Sequence, residues 1–124
     1  MCRLVEIKTN QGEKCRVADI KKEYIMNIIK NAHICSAIDE IILFGSAIEE
    51  RCTEHSDIDI AIFGKKSEHQ FLTSKSYRDF ANRIFQYGEF QDYDMLYFRR
   101  NQKYTDGILR DISKGETIYK KPTS

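Results

Sequence analysis

The feature that most constrains this fold is the alternating segment SDIDIAIFG at residues 56–64. Successive side chains of a strand point to opposite faces of its sheet, so the segment predicts one isoleucine face and one face with Asp57, Asp59 and Ala61. Aspartate is depleted from strands, and burying an unpaired carboxylate is costly. Two aspartates on one strand face therefore indicate a functional requirement.

The remaining chain predicts further strands and helices around this strand. Residues 3–8 and 14–18 are expected to form a β-hairpin with Gly12 in its turn. Three further strands are expected: one at 40–44 that is buried on both faces, one in FQDYDMLYF at 90–98, and an edge strand in ETIYK at 116–120. Helical spacing predicts helices from an N-cap at Asp19 to near Cys35, from Gly45 to about Arg51, over 70–86, and through Tyr104, Ile108, Leu109 and Ile112. This order predicts an α+β fold, a small mixed β-sheet with helices packed against it and an added N-terminal β-hairpin.

Composition limits the classes of function. The 124 residues, 41% of them hydrophobic, predict a single domain over 1–124, with the hairpin at 1–18 as an extension. The net charge of +1 and the dispersed Lys and Arg residues argue against a dedicated nucleic-acid module. No segment suits a membrane span or signal peptide, so we expect a cytoplasmic protein whose four cysteines are reduced packing residues.

The aspartates predict a site for hard divalent cations. Mg²⁺ prefers carboxylate oxygens and completes its shell with water and substrate phosphates. Two such ions can hold both the attacking and the leaving oxygen in phosphoryl transfer. Asp57 and Asp59 supply two carboxylates and Asp94 is the expected third, with Asp92 as the alternative on the same strand face. Solvent-facing aspartates on an edge strand are the structural alternative for the first pair.

The Gly45-Ser46 pair lies between a buried strand and the next predicted helix. Free N–H groups at such a junction favour a phosphate, which Gly45 would let approach closely and to which Ser46 would add a hydroxyl. The alternative is a capping box between Ser46 and Glu49. Two basic pairs, Lys65-Lys66 and Arg99-Arg100, could also contact a polyphosphate or simply be solvated. Tyr93 and Tyr97 could stack on a base or pack in the strand.

Together these residues resemble the minimal nucleotidyltransferase (MNT) domains of the DNA polymerase beta superfamily. That family has Gly-Ser, ten intervening residues, Asp-x-Asp and a later third aspartate. Here Gly45-Ser46, residues 47–56 and Asp57-Ile58-Asp59 reproduce the spacing. Ser56 matches the serine common before the first aspartate, and Asp94 begins a segment like the third-carboxylate strand. The resemblance covers about residues 20–120.

The resemblance implies a magnesium-dependent nucleotidyltransferase. By this likeness Asp57, Asp59 and Asp94 hold two Mg²⁺ ions, which Mn²⁺ could replace, while Gly45, Ser46 and Ser56 bind the nucleotide. A nucleoside monophosphate, AMP from ATP, would pass to a hydroxyl acceptor on a partner protein. Such domains are often antitoxins paired with a HEPN ribonuclease toxin, so a HEPN-type partner is expected.

The sequence departs from the family pattern at one loop. Family members commonly carry Arg and then Gly where this chain has Glu49 and Glu50, while Arg51 follows one position later. The alternative function is therefore a catalytically impaired, antitoxin-like module that binds a protein partner. A third possibility is a regulator that binds nucleotide or metal without releasing pyrophosphate.

Overall fold

A four-stranded mixed sheet forms the centre of the computed structural model, which describes residues 2–88, 90–103 and 107–122. Across the sheet the strands are β5 (Tyr93–Arg99), β4 (Ile58–Gly64), β3 (Glu40–Phe44) and β6 (Glu116–Lys120). β4 and β5 are parallel, and the other neighbours are antiparallel. The predicted α+β class and the edge position of ETIYK are confirmed.

Helices cover the two faces of this sheet unequally. The isoleucine face of β4 packs in the larger core with α1 (Lys22–Asn31), α2 (Glu68–Leu72) and α3 (Lys75–Tyr87). The opposite face packs Ala61 with residues of the short helix α4 (Ile108–Ser113). The predicted alternation is therefore confirmed, and Asp59 lies on the face that a six-residue helix covers.

The N-terminal hairpin forms as predicted, with β1 (Leu4–Lys8) antiparallel to β2 (Lys14–Ala18). Gly12 in its turn has a φ of 81°, which favours glycine. The hairpin is a separate two-stranded sheet, and its Asn10 side chain bonds to the main chain of Lys120 on edge strand β6.

The first helix differs from the prediction at its beginning. A 3₁₀ turn (Asp19–Lys21) precedes α1, and a second one (Ala32–Ile34) follows it. Asp19 is not the N-cap, because its carboxylate instead accepts a hydrogen bond of 3.2 Å from the Arg3 N–H. The tighter turn also changes which side chain faces inward, so Lys21 is 1% exposed and Ile20 is 39% exposed.

The helix predicted over 70–86 is two helices. Ser67 and Gln70 form a capping box that begins α2, and the Ser74 hydroxyl accepts from the Tyr77 N–H to begin α3. The prediction was wrong because apolar spacing continues across this break, while the capping serines determine where each helix starts. In the last predicted helix, Tyr104 lies outside the described residues. Within the described ranges, no helix is both long and apolar enough to cross a membrane.

Candidate active site

Two of the predicted aspartates meet on neighbouring strands. Asp59 of β4 lies directly opposite Asp94 of β5 in the parallel register, and adjacent strands are about 4.8 Å apart. Asp57 is exposed and lies one residue before β4 begins. The Ile58 N–H donates to the Asp92 carbonyl at 3.0 Å and joins the beginnings of the two strands.

The carboxylates interact electrostatically. Partial burial raises the pKa of Asp59, and the negative charges of Asp94 and Asp57 raise it further, while Arg51 acts in the opposite direction. Mutual repulsion of this kind is relieved when a cation lies between the carboxylates. The charge distribution therefore suits a bound divalent cation.

The donor set fits magnesium in an open site. Across the described ranges, no three His, Cys, Asp or Glu side chains are grouped closely enough to form a metal-ligand set by themselves. Mg²⁺ is commonly held by one or two carboxylates and takes its other ligands from water and substrate phosphates. Asp59 and Asp94 lie opposite each other on adjacent strands, with Asp57 at the strand entry, and this arrangement is compatible with such a site.

Gly45 lies against this pair, and no other residue type fits its position. Its φ is 74°, and a Cβ built on it would collide with Oδ2 of Asp59. The absence of a side chain therefore leaves the main chain next to the carboxylate. This contact joins the Gly-Ser and Asp-x-Asp segments of the family-like pattern.

The helix expected from Gly45 to Arg51 is shorter than predicted. Only a 3₁₀ turn (Gly45–Ile48) forms, and Glu49 is already extended. The alternative capping box is not the arrangement seen, because the Glu49 carboxylate accepts hydrogen bonds of 3.0 Å from both Nε and Nη2 of Arg51. One turn carries little macrodipole, so phosphate binding here would depend on individual N–H groups and on the Ser46 hydroxyl.

Ser56 shapes the turn that precedes Asp57. Its hydroxyl accepts from the Thr53 N–H at 2.9 Å and lies 3.2 Å from the Thr53 hydroxyl, and its own N–H donates to the Thr53 carbonyl. These bonds fix the approach of the chain to β4. Its role as a nucleotide ligand stays a prediction.

A cleft of about 540 Å³ opens beside Asp59. Arg51 and Lys114 supply positive charge to its lining, and Glu49, Asp59 and Asp111 supply negative charge. Hydrogen bonding from Arg51 lowers the pKa of Glu49. Sequence reasoning missed Asp111 and Lys114, because only the fold brings the end of α4 to this face.

The predicted basic pairs lie elsewhere. Arg99 is in register with Gly64, five residues beyond Asp59 and Asp94, which is roughly 16 Å along the strands. Arg100 pairs instead with Asp39 and Glu40 at 3.5 and 2.8 Å. The structure therefore does not bring these cations to the aspartates.

The two tyrosines pack inside the fold. Tyr97 stacks on Phe71 with ring centroids 4.0 Å apart, and its hydroxyl donates to the Lys66 carbonyl. Tyr93 packs against the larger core. Of the two alternatives for these side chains, the structure supports strand packing.

Comparison with known proteins agrees with this geometry. The family model described as "Polymerase beta, Nucleotidyltransferase" matches residues 23–124, a range that includes every candidate site residue and leaves the hairpin outside. A search of curated proteins gives no significant match. Because the family model spans most of the 124 residues, the chain belongs to the polymerase beta nucleotidyltransferase family.

Proposed function

We propose that this chain is a magnesium-dependent nucleotidyltransferase that transfers AMP from ATP to a hydroxyl acceptor. The observation that carries the proposal is the placement of Asp59 opposite Asp94, with Gly45 against Asp59 at the edge of a cleft. Membership of the family supports the reaction class.

Each aspartate has a distinct role in this proposal. Asp57 and Asp59 would hold the Mg²⁺ ions, and Asp94 would complete the ligand set. When bound, the ions would supply charge neutralisation at the triphosphate and in the transition state. Asp94 is also placed to accept the proton of the acceptor hydroxyl, because it is exposed on the strand beside Asp59.

The reaction forms one bond and breaks one. The acceptor oxygen attacks the α-phosphorus of ATP, the bond from that phosphorus to the β-phosphate bridging oxygen breaks, and pyrophosphate leaves. The hydroxyl proton passes to the Asp94 carboxylate. The residues of the chain contribute mainly by positioning and by charge stabilisation, as expected for phosphoryl transfer.

The cleft residues bind the triphosphate. Arg51 and Lys114 provide positive charge, Gly45 and Ser46 provide main-chain N–H groups and a hydroxyl, and Ser56 positions the approach to Asp57. Arg51 is held by Glu49, but the two side chains are 68% and 46% exposed. An ion pair this exposed is weak, so a triphosphate could compete with Glu49 for Arg51.

The proposed acceptor is a hydroxyl on a partner protein in the cytoplasm. Its expected class is a HEPN-type toxin, as the resemblance to minimal nucleotidyltransferase domains implies. The exposure of Asp57 and Asp94 supports this choice, because a protein acceptor could bring its own surface to these two carboxylates.

Transfer of radioactive label tests the proposal. Each α-³²P NTP is incubated with the protein, Mg²⁺ or Mn²⁺, and a lysate of the native host. We expect a labelled protein band with ATP that is lost in the double variant Asp57→Asn/Asp59→Asn and kept in Asp79→Asn, whose carboxylate pairs with Lys75 on α3. Absence of aspartate-dependent label with every NTP, together with absence of NTP binding in calorimetry, would refute the catalytic proposal.

A second candidate function is a protein-binding module with impaired catalysis. The pairing of Glu49 with Arg51 favours it, because that carboxylate occupies a cation that a triphosphate requires. The double variant Glu49→Arg/Glu50→Gly restores the residues common in the family. If it binds NTP while the wild type does not, the binding module is the better description of the natural protein.

A further inference from the structure

A lysine is buried next to the segments that lead into the two strands β4 and β5. Lys21 is 1% exposed, and its Nζ donates to Gln91 Oε1 at 2.5 Å and to the Glu54 carbonyl at 3.1 Å. Burial lowers the pKa of Lys21, while Cys52, Asp57 and Glu54 act in the opposite direction. A buried ammonium group is costly unless it is bonded, so these partners are needed to keep it there.

Gln91 extends this contact to both strand entries. Its side chain is buried, and its Nε2 donates to the Ser56 carbonyl at 3.0 Å and to the Asp92 carbonyl at 2.7 Å. Ser56 immediately precedes Asp57, and Asp92 lies two residues before Asp94. The Gln91 amide therefore connects the two main-chain segments that lead to Asp57 and Asp94, two of the proposed metal ligands.

Lys21 determines which way the Gln91 amide points. An ammonium group has donors only, so it requires the amide oxygen, and the amide nitrogen is then directed at the two carbonyls. Without Lys21, the amide could rotate and leave the carbonyls of Ser56 and Asp92 without this donor. Apolar side chains of similar size could fill the space, so packing alone does not require a buried charge.

We propose that Lys21 and Gln91 are positioning residues that fix the separation of Asp57 and Asp94 and thereby set the divalent-metal affinity of the site. The inference rests on the proposed function, because it assigns a consequence to that metal site. Lys21 precedes the residues that the family model matches, so the contact joins a segment outside the match to the aspartates. Partners that orient metal ligands typically change metal affinity by 10–100-fold when removed.

Mn²⁺ binding to the purified full chain, without nucleotide, tests the proposal by electron paramagnetic resonance. We expect Lys21→Met to weaken Mn²⁺ binding about tenfold. Gln91→Met and the double variant should weaken it to the same extent, because the two residues act as one unit. Gln91→Glu keeps an acceptor for Lys21 but loses the two donated bonds, so it should also bind Mn²⁺ more weakly and decides the question if Lys21→Met does not fold.

Ile28→Ala is the matched control, since Ile28 is fully buried in the neighbouring helix α1 and packs in the larger apolar core. It should lower the urea midpoint while leaving the Mn²⁺ dissociation constant unchanged. The positioning role alone would be overturned if Lys21→Met or Gln91→Glu folds and binds Mn²⁺ with wild-type affinity. It would also be overturned if Ile28→Ala weakens Mn²⁺ binding to the same extent. If the wild type binds no Mn²⁺ without nucleotide, or Asp59→Asn binds it equally well, this inference fails, while transfer of radioactive label tests the proposed function separately.

Discussion

At the scale of single residues, the structure separates Asp94 from its alternative, Asp92. Asp94 is opposite Asp59, whereas the Asp92 carbonyl accepts from Ile58 and Gln91 and its side chain lies before β5 begins. We expect Asp94→Asn to lower label transfer at least 100-fold, as removal of a transition-state charge partner does. Asp92→Asn should change it less than about threefold, because the main-chain bonds remain. Initial rates of pyrophosphate release compare the two variants, and the reverse order would reassign the third carboxylate.

Glu49 is the residue whose removal should improve nucleotide binding. Its carboxylate holds Arg51 beside the cleft, and Glu49→Gln keeps the size while it removes the charge. The expected gain in ATP affinity is about twofold to fivefold at low salt, which corresponds to an exposed ion pair. Isothermal titration with Mg²⁺ measures it.

Asp79→Asn is the control for this experiment. Its carboxylate is 46% exposed, as is that of Glu49, and pairs with Lys75 at 2.8 Å away from the cleft. The control should leave ATP affinity unchanged. Equal affinity in Glu49→Gln and the wild type would show that Glu49 does not compete with the triphosphate.

At the scale of elements, the Asn10 side chain makes the shortest hydrogen bonds between the hairpin and the sheet. The Asn10 amide donates to the Lys120 carbonyl at 2.6 Å and accepts from the Lys120 N–H at 2.9 Å, and so continues the hydrogen bonding of edge strand β6. Asn10→Ala should lower the free energy of unfolding by about 1–2 kcal/mol, because two hydrogen bonds are lost. Urea unfolding measures this change. Gln11→Ala should stay within about 0.5 kcal/mol of the wild type, because its bond to the same carbonyl is 3.5 Å long and therefore weak. A similar loss in both variants would contradict the role of Asn10.

The elements also show which sequence signals were sufficient. Strict alternation predicted both faces of β4, because a strand has a period of two and a shift by one residue would bury both aspartates. Apolar spacing did not reveal the break before Ser74, since α2 and α3 present apolar side chains to the same core. At the start of the first helix, a 3₁₀ turn replaces the predicted helical turn, and Lys21 is buried there while the apolar Ile20 is exposed.

At the scale of the whole molecule, the site depends on contacts between distant segments. The contact of Gly45 with Asp59 is local, because Gly45 directly follows β3 and Phe44, the last residue of β3, pairs with Asp59 of β4. Other contacts of the site join segments far apart in sequence. Asp59 lies opposite Asp94 of β5, Lys114 lines the cleft beside Asp59, and Lys21 bonds to Gln91. Periodicity describes one element at a time, so it could not specify these contacts.

The stability of the whole fold should fall at alkaline pH because of a buried thiol in the hairpin. Burial, assisted by the negative charge of Glu116, raises the pKa of Cys15 from 9.0 to about 11. The unfolded chain therefore releases this proton at lower pH than the folded one. The stabilisation that the protonated Cys15 thiol gives the folded state is thus complete below pH 9 and disappears as pH rises to 11. The loss approaches about 3 kcal/mol.

Urea unfolding at pH 8.5 and 10.5, with a non-thiol reductant, measures that loss, and Cys15→Ala should lose less stability between the two pH values than the wild type. Ile7→Val is the matched control, because Ile7 lies opposite Cys15 in the hairpin register and is also buried. It should be less stable by about 1 kcal/mol at both pH values, with the pH dependence of the wild type. If Cys15→Ala keeps that same pH dependence, ionisation of this thiol is not coupled to unfolding, and the alkaline loss must come from other groups. A smaller pH dependence of stability in Cys15→Ala alone would show that the hairpin core unfolds together with the rest of the chain. A thiol that titrates only when the hairpin opens locally could not change the midpoint of global unfolding.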